Sequence, residues 1–163
     1  MKLKPNVLIV ISGLVWLAVG VFLMQLGIGF LLEGKIIAAS SGEGTPVLNL
    51  LKPYVGGVEM AALLLVVVAL YIGYLKGRHV LGKAAKRGVD RILSLPKPIA
   101  LSKIYAPRYY VLLGLMVLIG MSMKWLGVTK DLRGFIDIAI GAALINGSVI
   151  YFRMARLAKE ESA

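Results

Sequence analysis

Two acidic residues stand inside long apolar stretches of the sequence, and they are its first candidates for chemistry. Glu59 is the only charged residue in the stretch 54–75, and Asp137 is the only one in the stretch 134–152. An ionised side chain costs about 2.5–3.5 kcal/mol at the centre of a membrane-spanning helix, so such residues commonly serve a function. We therefore expect both carboxylates to line a polar site that binds a cation or exchanges protons.

The depth of these carboxylates in the membrane follows from helix geometry. Glu59 lies roughly 8 Å along a helix from Tyr54, and Asp137 roughly 6 Å from Arg133, because an α-helix rises about 1.5 Å per residue. Both are thus expected in the outer part of the membrane, where a charge costs less than at the centre. The site would open to the outside.

A structural interpretation of the same residues stays open. Arg133 lies four residues before Asp137 and on the same helix face, so the two side chains can form an ion pair. Lys124 could reach Glu59 from a neighbouring helix. Both carboxylates would then be held in fixed ion pairs, and neither would bind an ion.

Other residue types narrow the chemistry further. Gln25 and Asn146 are additional polar candidates for the site, although an interhelical hydrogen bond is the favoured interpretation of each. The sequence has no cysteine and one histidine, His79, so neither a metal site nor a cofactor is predicted. We see no serine–histidine pairing and no phosphate-binding glycine loop in the sequence, which disfavours an enzyme.

The composition indicates the elements that must position these residues. Of the 163 residues, 59% are hydrophobic and 17% are charged, and the mean hydropathy is +0.85. Soluble domains have about 45–50% apolar and about 25% charged residues, so a soluble enzyme and a disordered chain are both excluded. A spanning helix needs about 20 mostly apolar residues. Four stretches meet this requirement: 6–32, 54–75, 107–126 and 134–152.

The basic residues predict the orientation of these spans. Fourteen of the 19 lysines and arginines lie near the two termini or in the central segment 76–108, which comprises the loop 77–106 and its flanking residues. Since basic residues mark the cytoplasmic side, both termini are predicted in the cytoplasm, in a multi-pass protein of the cell (inner) membrane. This asymmetry explains the net charge of +11, so nucleic-acid binding is not expected. The first stretch exceeds the about 7–15 apolar residues of a signal peptide, which predicts a retained helix.

The two halves of the sequence resemble each other. At an offset of 78 residues, three positions match: Lys52 with Lys130, Gly56 with Gly134, and Glu59 with Asp137. Each half, about 1–76 and 102–156, would form one helical hairpin, and an even number of spans makes the repeat parallel. The predicted fold is therefore all-α: a single domain, 1–163, with four transmembrane helices in two parallel-related hairpins. Glu59 and Asp137 would face each other across the pseudo-twofold axis.

Small residues recur at heptad spacing on two of the predicted helices. They are Gly13, Gly20 and Gly27 on the first, and Gly134, Gly141 and Ser148 on the fourth. Helices in lipid approach closely at small residues, so these faces should contact other helices. A packing seam within the chain is favoured over a dedicated dimer motif. Because four helices enclose little interior, we also expect a homo-oligomer or partner membrane subunits.

The central loop contains an amphipathic pattern in residues 79–95. The predicted apolar face comprises Leu81, Ala84, Ala85, Gly88, Ile92 and Leu95. The predicted contacts with anionic lipid headgroups are Lys83, Lys86, Arg87 and Arg91. The pattern predicts a cytoplasmic helix at the headgroup level, and the alternative is a cytoplasmic extension of the second span.

Three functions are compatible with these features. The first is a small transporter or channel-like protein whose carboxylates form the outward-facing polar site. The second is a non-catalytic subunit that supports a larger membrane complex through its glycine faces and basic helix. The third is a lipid-acting membrane enzyme that uses Glu59 or Asp137 as a base.

Overall fold

The computed structural model describes residues 5–40, 44–94, 118, 122–123 and 125–160. Within these residues the regular secondary structure is helical, and three helices are long and apolar enough to cross a membrane. In chain order the helices are α1 (Pro5–Ser40), α2 (Pro46–Val55), α3 (Val58–Lys76), α4 (Gly82–Ser94) and α5 (Lys130–Glu160), and a π-helical turn (Gly77–Leu81) joins α3 to α4. The prediction of an all-α membrane protein is confirmed.

The predicted spans 6–32 and 134–152 correspond to α1 and α5, and both helices are longer than predicted. α1 has 36 residues. It is therefore about 54 Å long at a rise of about 1.5 Å per residue. The hydrocarbon core of a bilayer is only about 30 Å thick. α1 thus extends beyond any membrane that it crosses.

Most of the predicted third span, 107–126, lies outside the described residues, but its last turn is described. Ser122, Met123 and Trp125 are helical, and the helix ends at Gly127, whose φ is +65°. The N–H of Val128 donates to the carbonyl of Met123 at 3.0 Å, which is the hydrogen bond of a Schellman C-cap. A helix therefore ends shortly before α5 begins.

The predicted second span, 54–75, is wrong at its start. Tyr54 belongs to the short helix α2, and α3 begins only at Val58. Gly56 and Gly57 separate the two helices with φ values of +83° and +151°. These are conformations that glycine adopts readily and other residues rarely do, so the glycine pair ends one helix and redirects the chain into the next.

α1 and α5 pack antiparallel along a seam of small residues. A Cβ atom added at Gly20 would lie 2.9 Å from the carbonyl oxygen of Gly141, and one at Gly27 would lie 2.8 Å from that of Gly134. Such distances leave no room for a side chain, so the two backbones are in direct contact. Ser148, one heptad further along α5, is buried. The prediction of a packing seam within the chain is confirmed.

α3 packs on another side of α5 and runs in the same direction as α5. Gly73 lies against Ala139 and Ala142, and Gly77, the first residue of the π-helical turn that follows α3, lies against Asn146. These contacts place Gly73 at the same height along the bundle as the residue roughly 68 positions later in α5. Because all α-helices have the same rise per residue, the same offset applies along the rest of α3. We call the end of the bundle where α2 lies the α2 end, and the opposite end the α4 end.

α4 continues α3 through the π-helical turn, and its buried side chains pack against those of α1 and α5. This core cluster contains Leu8, Ile9, Trp16, Ala85, Val89, Ile92, Leu144, Tyr151 and Ala155. A helix that extends the second span, the alternative interpretation, is thus observed. The predicted apolar face is wrong at two positions, since Ala84 is exposed and Val89 is buried. The buried face of α4 is the one that contacts α1 and α5, and helical periodicity alone does not define it.

Candidate functional site

Glu59 lies in the first turn of a helix rather than several residues inside one. Because α3 begins at Val58, Glu59 is in its first turn, where a negative charge is stabilised by the helix dipole. Its side chain is 84% exposed, and its Oε1 accepts a hydrogen bond from Nζ of Lys35 at 3.2 Å. Lys35 lies in α1, 24 positions earlier. Local spacing does not reveal this partner, and Lys124, the partner considered from the sequence, lies outside the described residues.

Asp137 lies two turns into α5 and is partly buried. Arg133 precedes it by one turn, as predicted, but the guanidinium lies over the ring of Phe30 at 4.2 Å from the ring centre. This cation–π contact joins α1 to α5. The Nε atom of Arg133 is buried without a hydrogen-bond partner. In the part of the chain that the structure describes, no hydrogen bond or ion pair joins Arg133 to Asp137.

The two carboxylates lie at different depths. The register between α3 and α5 places Asp137 level with Ala69 of α3, which is ten residues beyond Glu59. Ten residues of helix correspond to about 15 Å. The expectation that the two residues face each other at matching depth is therefore wrong. The physical reason is that Gly56 and Gly57 interrupt the first half, whereas the corresponding part of α5 is continuous.

Asp131 is a structural residue that the sequence interpretation missed. It is fully buried, and its Oδ2 accepts hydrogen bonds from the backbone N–H groups of Val47 at 2.8 Å and Leu48 at 3.1 Å. Its Oδ1 accepts a hydrogen bond from the N–H of Leu132 at 2.9 Å. Asp131 thus satisfies the open N–H groups of the first turn of α2, a role usually taken by the N-cap residue. Here that residue is Thr45, whose side chain makes no capping bond.

The remaining predicted site residues are dispersed. Gln25 is exposed and lines a groove of about 230 Å³ on α1 together with Phe22, Phe30 and Glu33. Asn146 donates from Nδ2 to the carbonyl of Ala142 at 2.9 Å, within its own helix. The structure therefore does not bring either residue to Asp137 by a hydrogen bond. The basic side chains proposed to contact headgroups are all exposed: Lys83, Lys86, Arg87 and Arg91.

The acidic side chains at the α2 end differ in how they are satisfied. Glu33 pairs with Lys130, Glu59 pairs with Lys35, and Asp131 accepts backbone hydrogen bonds. Asp137 alone among these four has neither a hydrogen bond nor an ion pair within the described residues. It is also the one that lies deepest along its helix. This contrast separates Asp137 from the acids that serve a structural purpose.

The described residues contain no group of three or more histidine, aspartate or glutamate side chains placed to hold a metal ion. A scan against protein-family models found no match, and searches of curated proteins and of solved structures found none either.

Proposed function

We propose that the chain is a small transporter or channel-like membrane protein, and that Asp137 binds the cation or proton that it moves. The observation that carries this proposal is a partly buried carboxylate within an apolar helix, without a hydrogen bond or an ion pair among the described residues. An ionisable group kept in such a position is costly, and that cost is commonly accepted where the group has a function.

The surroundings of Asp137 support this role. Ile138, the next residue, belongs to the glycine seam, because a Cβ atom at Gly27 would touch its backbone nitrogen. Asp137 is therefore next to a closely packed part of α5, as a precise binding site requires. Arg133 is engaged by the ring of Phe30 and makes no ion pair with Asp137 among the described residues, so it does not occupy the carboxylate. The same ion-binding role does not extend to Glu59, which Lys35 already neutralises at the helix start.

We also propose a topology for the chain: it crosses the cell (inner) membrane four times, in two related hairpins, with both termini in the cytoplasm. The working unit is an oligomer. α3 and α5 run in the same direction, so the end of α4 at Ser94 and the start of α5 at Lys130 lie at opposite ends of the bundle. This separation supports the proposal of a span within 107–126. The excess of basic residues at the termini and in the central loop supports the orientation.

Ion flux into proteoliposomes tests the role of Asp137. The purified protein is reconstituted, gradients of H⁺, Na⁺ or K⁺ are imposed in turn, and uptake is followed with ion-sensitive dyes. We expect Asp137→Asn to lower the initial flux at least about tenfold, which corresponds to about 1.4 kcal/mol. Asp137→Glu, which keeps the charge, should retain part of the flux.

Glu59→Gln is the matched control, since it removes a carboxylate at the same end of the bundle. Its flux should stay within about twofold of wild type, because an exposed ion pair contributes little. Wild-type flux in folded Asp137→Asn would contradict the proposal, and so would a wild-type protein that carries none of the three ions.

A non-catalytic membrane subunit is the second candidate, and the surface of α3 favours it. Large apolar side chains cover one side of this helix and are exposed: Met60, Leu63, Val67, Tyr71 and Tyr74. A partner helix could pack there, while the basic side chains of α4 contact anionic headgroups. Purification in mild detergent followed by mass spectrometry decides between the candidates. A stoichiometric membrane partner, together with absence of flux by the chain alone, would favour the subunit.

A further inference from the structure

A groove between α1 and α3 opens to the side of the bundle at the α2 end. Its volume is about 210 Å³, and an ion pair, Lys35 with Glu59, stands at its mouth. The rest of the lining is apolar: Ile28, Leu31, Leu32, Ala62, Leu63 and Val66. The lining runs from Ile28 to Lys35 in α1 and from Glu59 to Val66 in α3, so the groove is about 10 Å long at a rise of about 1.5 Å per residue. That length lies within one leaflet, which is about half of the 30 Å hydrocarbon core.

The ion pair at the mouth leaves much of its binding capacity free. The side chain of Lys35 is 35% exposed and that of Glu59 is 84% exposed. An ammonium group has three donors, and an ionised carboxylate has about four acceptor positions. The bond between the two groups uses one donor and one acceptor. A molecule with both an anionic and a cationic group could therefore bind both side chains without breaking their pairing.

We propose that this groove binds one zwitterionic phospholipid whose headgroup carries a primary amine. The lipid phosphate accepts hydrogen bonds from Lys35, and the ammonium group donates to the carboxylate of Glu59. One acyl chain lies along the apolar lining between α1 and α3. The apolar walls are accessible from the membrane, since Leu63 is 60% exposed and Leu32 is 53% exposed. This site is separate from Asp137, and the inference does not depend on ion transport.

The headgroup chemistry distinguishes this lipid from its neighbours in a membrane. A quaternary ammonium carries the same charge but has no N–H to donate, so it makes no hydrogen bond to Glu59. An anionic headgroup without an amine would meet Lys35 but would be repelled by Glu59. The order of preference is therefore primary amine first, quaternary amine second, and anionic headgroup last.

Native mass spectrometry of the full chain tests this order. The protein is reconstituted in vesicles of phosphatidylethanolamine, phosphatidylcholine and phosphatidylglycerol, in equal parts and with identical acyl chains. It is then extracted in mild detergent, and the lipids that stay bound are identified. We expect phosphatidylethanolamine to exceed phosphatidylcholine about threefold, the scale of an exposed charged contact. Equal retention of the two in wild type would overturn the proposal without any variant.

Variants separate the headgroup contacts from general effects of charge. Glu59→Gln should lower the ratio of retained phosphatidylethanolamine to retained phosphatidylcholine to about one, because the charged contact is lost. Lys35→Gln should lower retention of all three lipids. Glu33→Gln is the matched control, because it removes another exposed, paired carboxylate at the same end. A loss of preference in Glu33→Gln as large as that in Glu59→Gln would overturn the proposal. Flux is not part of this readout, so failure here leaves the role of Asp137 untouched.

Discussion

α1 has two sides that differ in how closely its neighbours approach. Toward α5, glycines bring the backbones into contact, and an added Cβ atom at Gly27 would lie only 2.8 Å from the carbonyl oxygen of Gly134. Toward α3, larger side chains keep the helices apart and leave a groove of about 210 Å³. We call the side of α1 toward α5 the close side and the side toward α3 the open side. Asp137 belongs to α5, which packs on the close side, and Glu59 stands at the mouth of the groove on the open side.

This difference shows how a small bundle can hold one acid partly buried without an ion pair and another exposed in an ion pair. Contact at small residues joins α5 to α1, and no hydrogen bond or ion pair of Asp137 among the described residues adds to it. The open side has fewer packing contacts, and the ion pair of Lys35 with Glu59 spans it at the surface. Substitutions on the close side should therefore have larger effects on stability than those on the open side.

Filling the close side should produce the largest loss of stability. We expect Gly27→Ala to lower the free energy of unfolding by about 1–3 kcal/mol, because the new Cβ atom would meet backbone atoms of α5 that cannot move independently. Gly29→Ala is the control, two residues away, where an added Cβ atom meets nothing within 4 Å. It should be neutral, or stabilising by up to about 1 kcal/mol, because alanine favours a helix.

Denaturant titration in detergent, followed by circular dichroism, measures both glycine variants. The test is whether Gly27→Ala lowers the free energy of unfolding while Gly29→Ala leaves it unchanged or raises it. Equal effects of the two substitutions would show that the seam is not the close contact between α1 and α5.

Removing the buried carboxylate at the α2 end should have an intermediate effect. Asp131→Ala leaves the N–H groups of Val47 and Leu48 without their acceptor, which should cost about 1–2 kcal/mol. Hydrogen exchange should then increase in the first turn of α2 before it increases in α3. Thr45→Val is the control at the same junction: its hydroxyl is buried without a partner, so the substitution should be neutral or stabilising. Unchanged protection of α2 in Asp131→Ala would argue against this cap.

Breaking the ion pair on the open side should have the smallest effect on stability. A double-mutant cycle with Lys35→Gln and Glu59→Gln should give a coupling energy of about 0.2–1 kcal/mol, as for other exposed pairs. The coupling should fall when salt is added, because screening weakens exposed charges. A coupling that is insensitive to salt would indicate that the pair is more deeply enclosed than the groove implies.

Local patterns predict much of this fold. The apolar runs of α1 and α5 and the heptad spacing of Gly20, Gly27, Gly134 and Gly141 are properties of single helices, and they predict both the elements and the seam. The position of Asp137 in α5 follows from the same patterns. These features need no knowledge of which helix lies next to which.

The contacts that were not predicted join residues far apart in the sequence. Lys35 and Glu59 are separated by 24 positions, and Asp131 lies 84 positions from Val47. Helical spacing cannot reveal such partners, since it relates residues only within about two turns. The predicted second span includes the glycine pair before α3, because an apolar stretch does not show where the backbone leaves the helix. The predicted depth of Glu59 is wrong for this reason.

Ion flux through the reconstituted protein tests whether Asp137 binds the transported ion, when Asp137→Asn and Glu59→Gln are measured side by side under one gradient. Each variant removes one carboxylate at the α2 end, but only Asp137 lacks a hydrogen bond or ion pair among the described residues. We predict that Asp137→Asn loses at least about tenfold in initial rate, or about 1.4 kcal/mol, whereas Glu59→Gln stays close to wild type. Equal rates in two folded variants would contradict the assignment of Asp137 as the ion-binding residue.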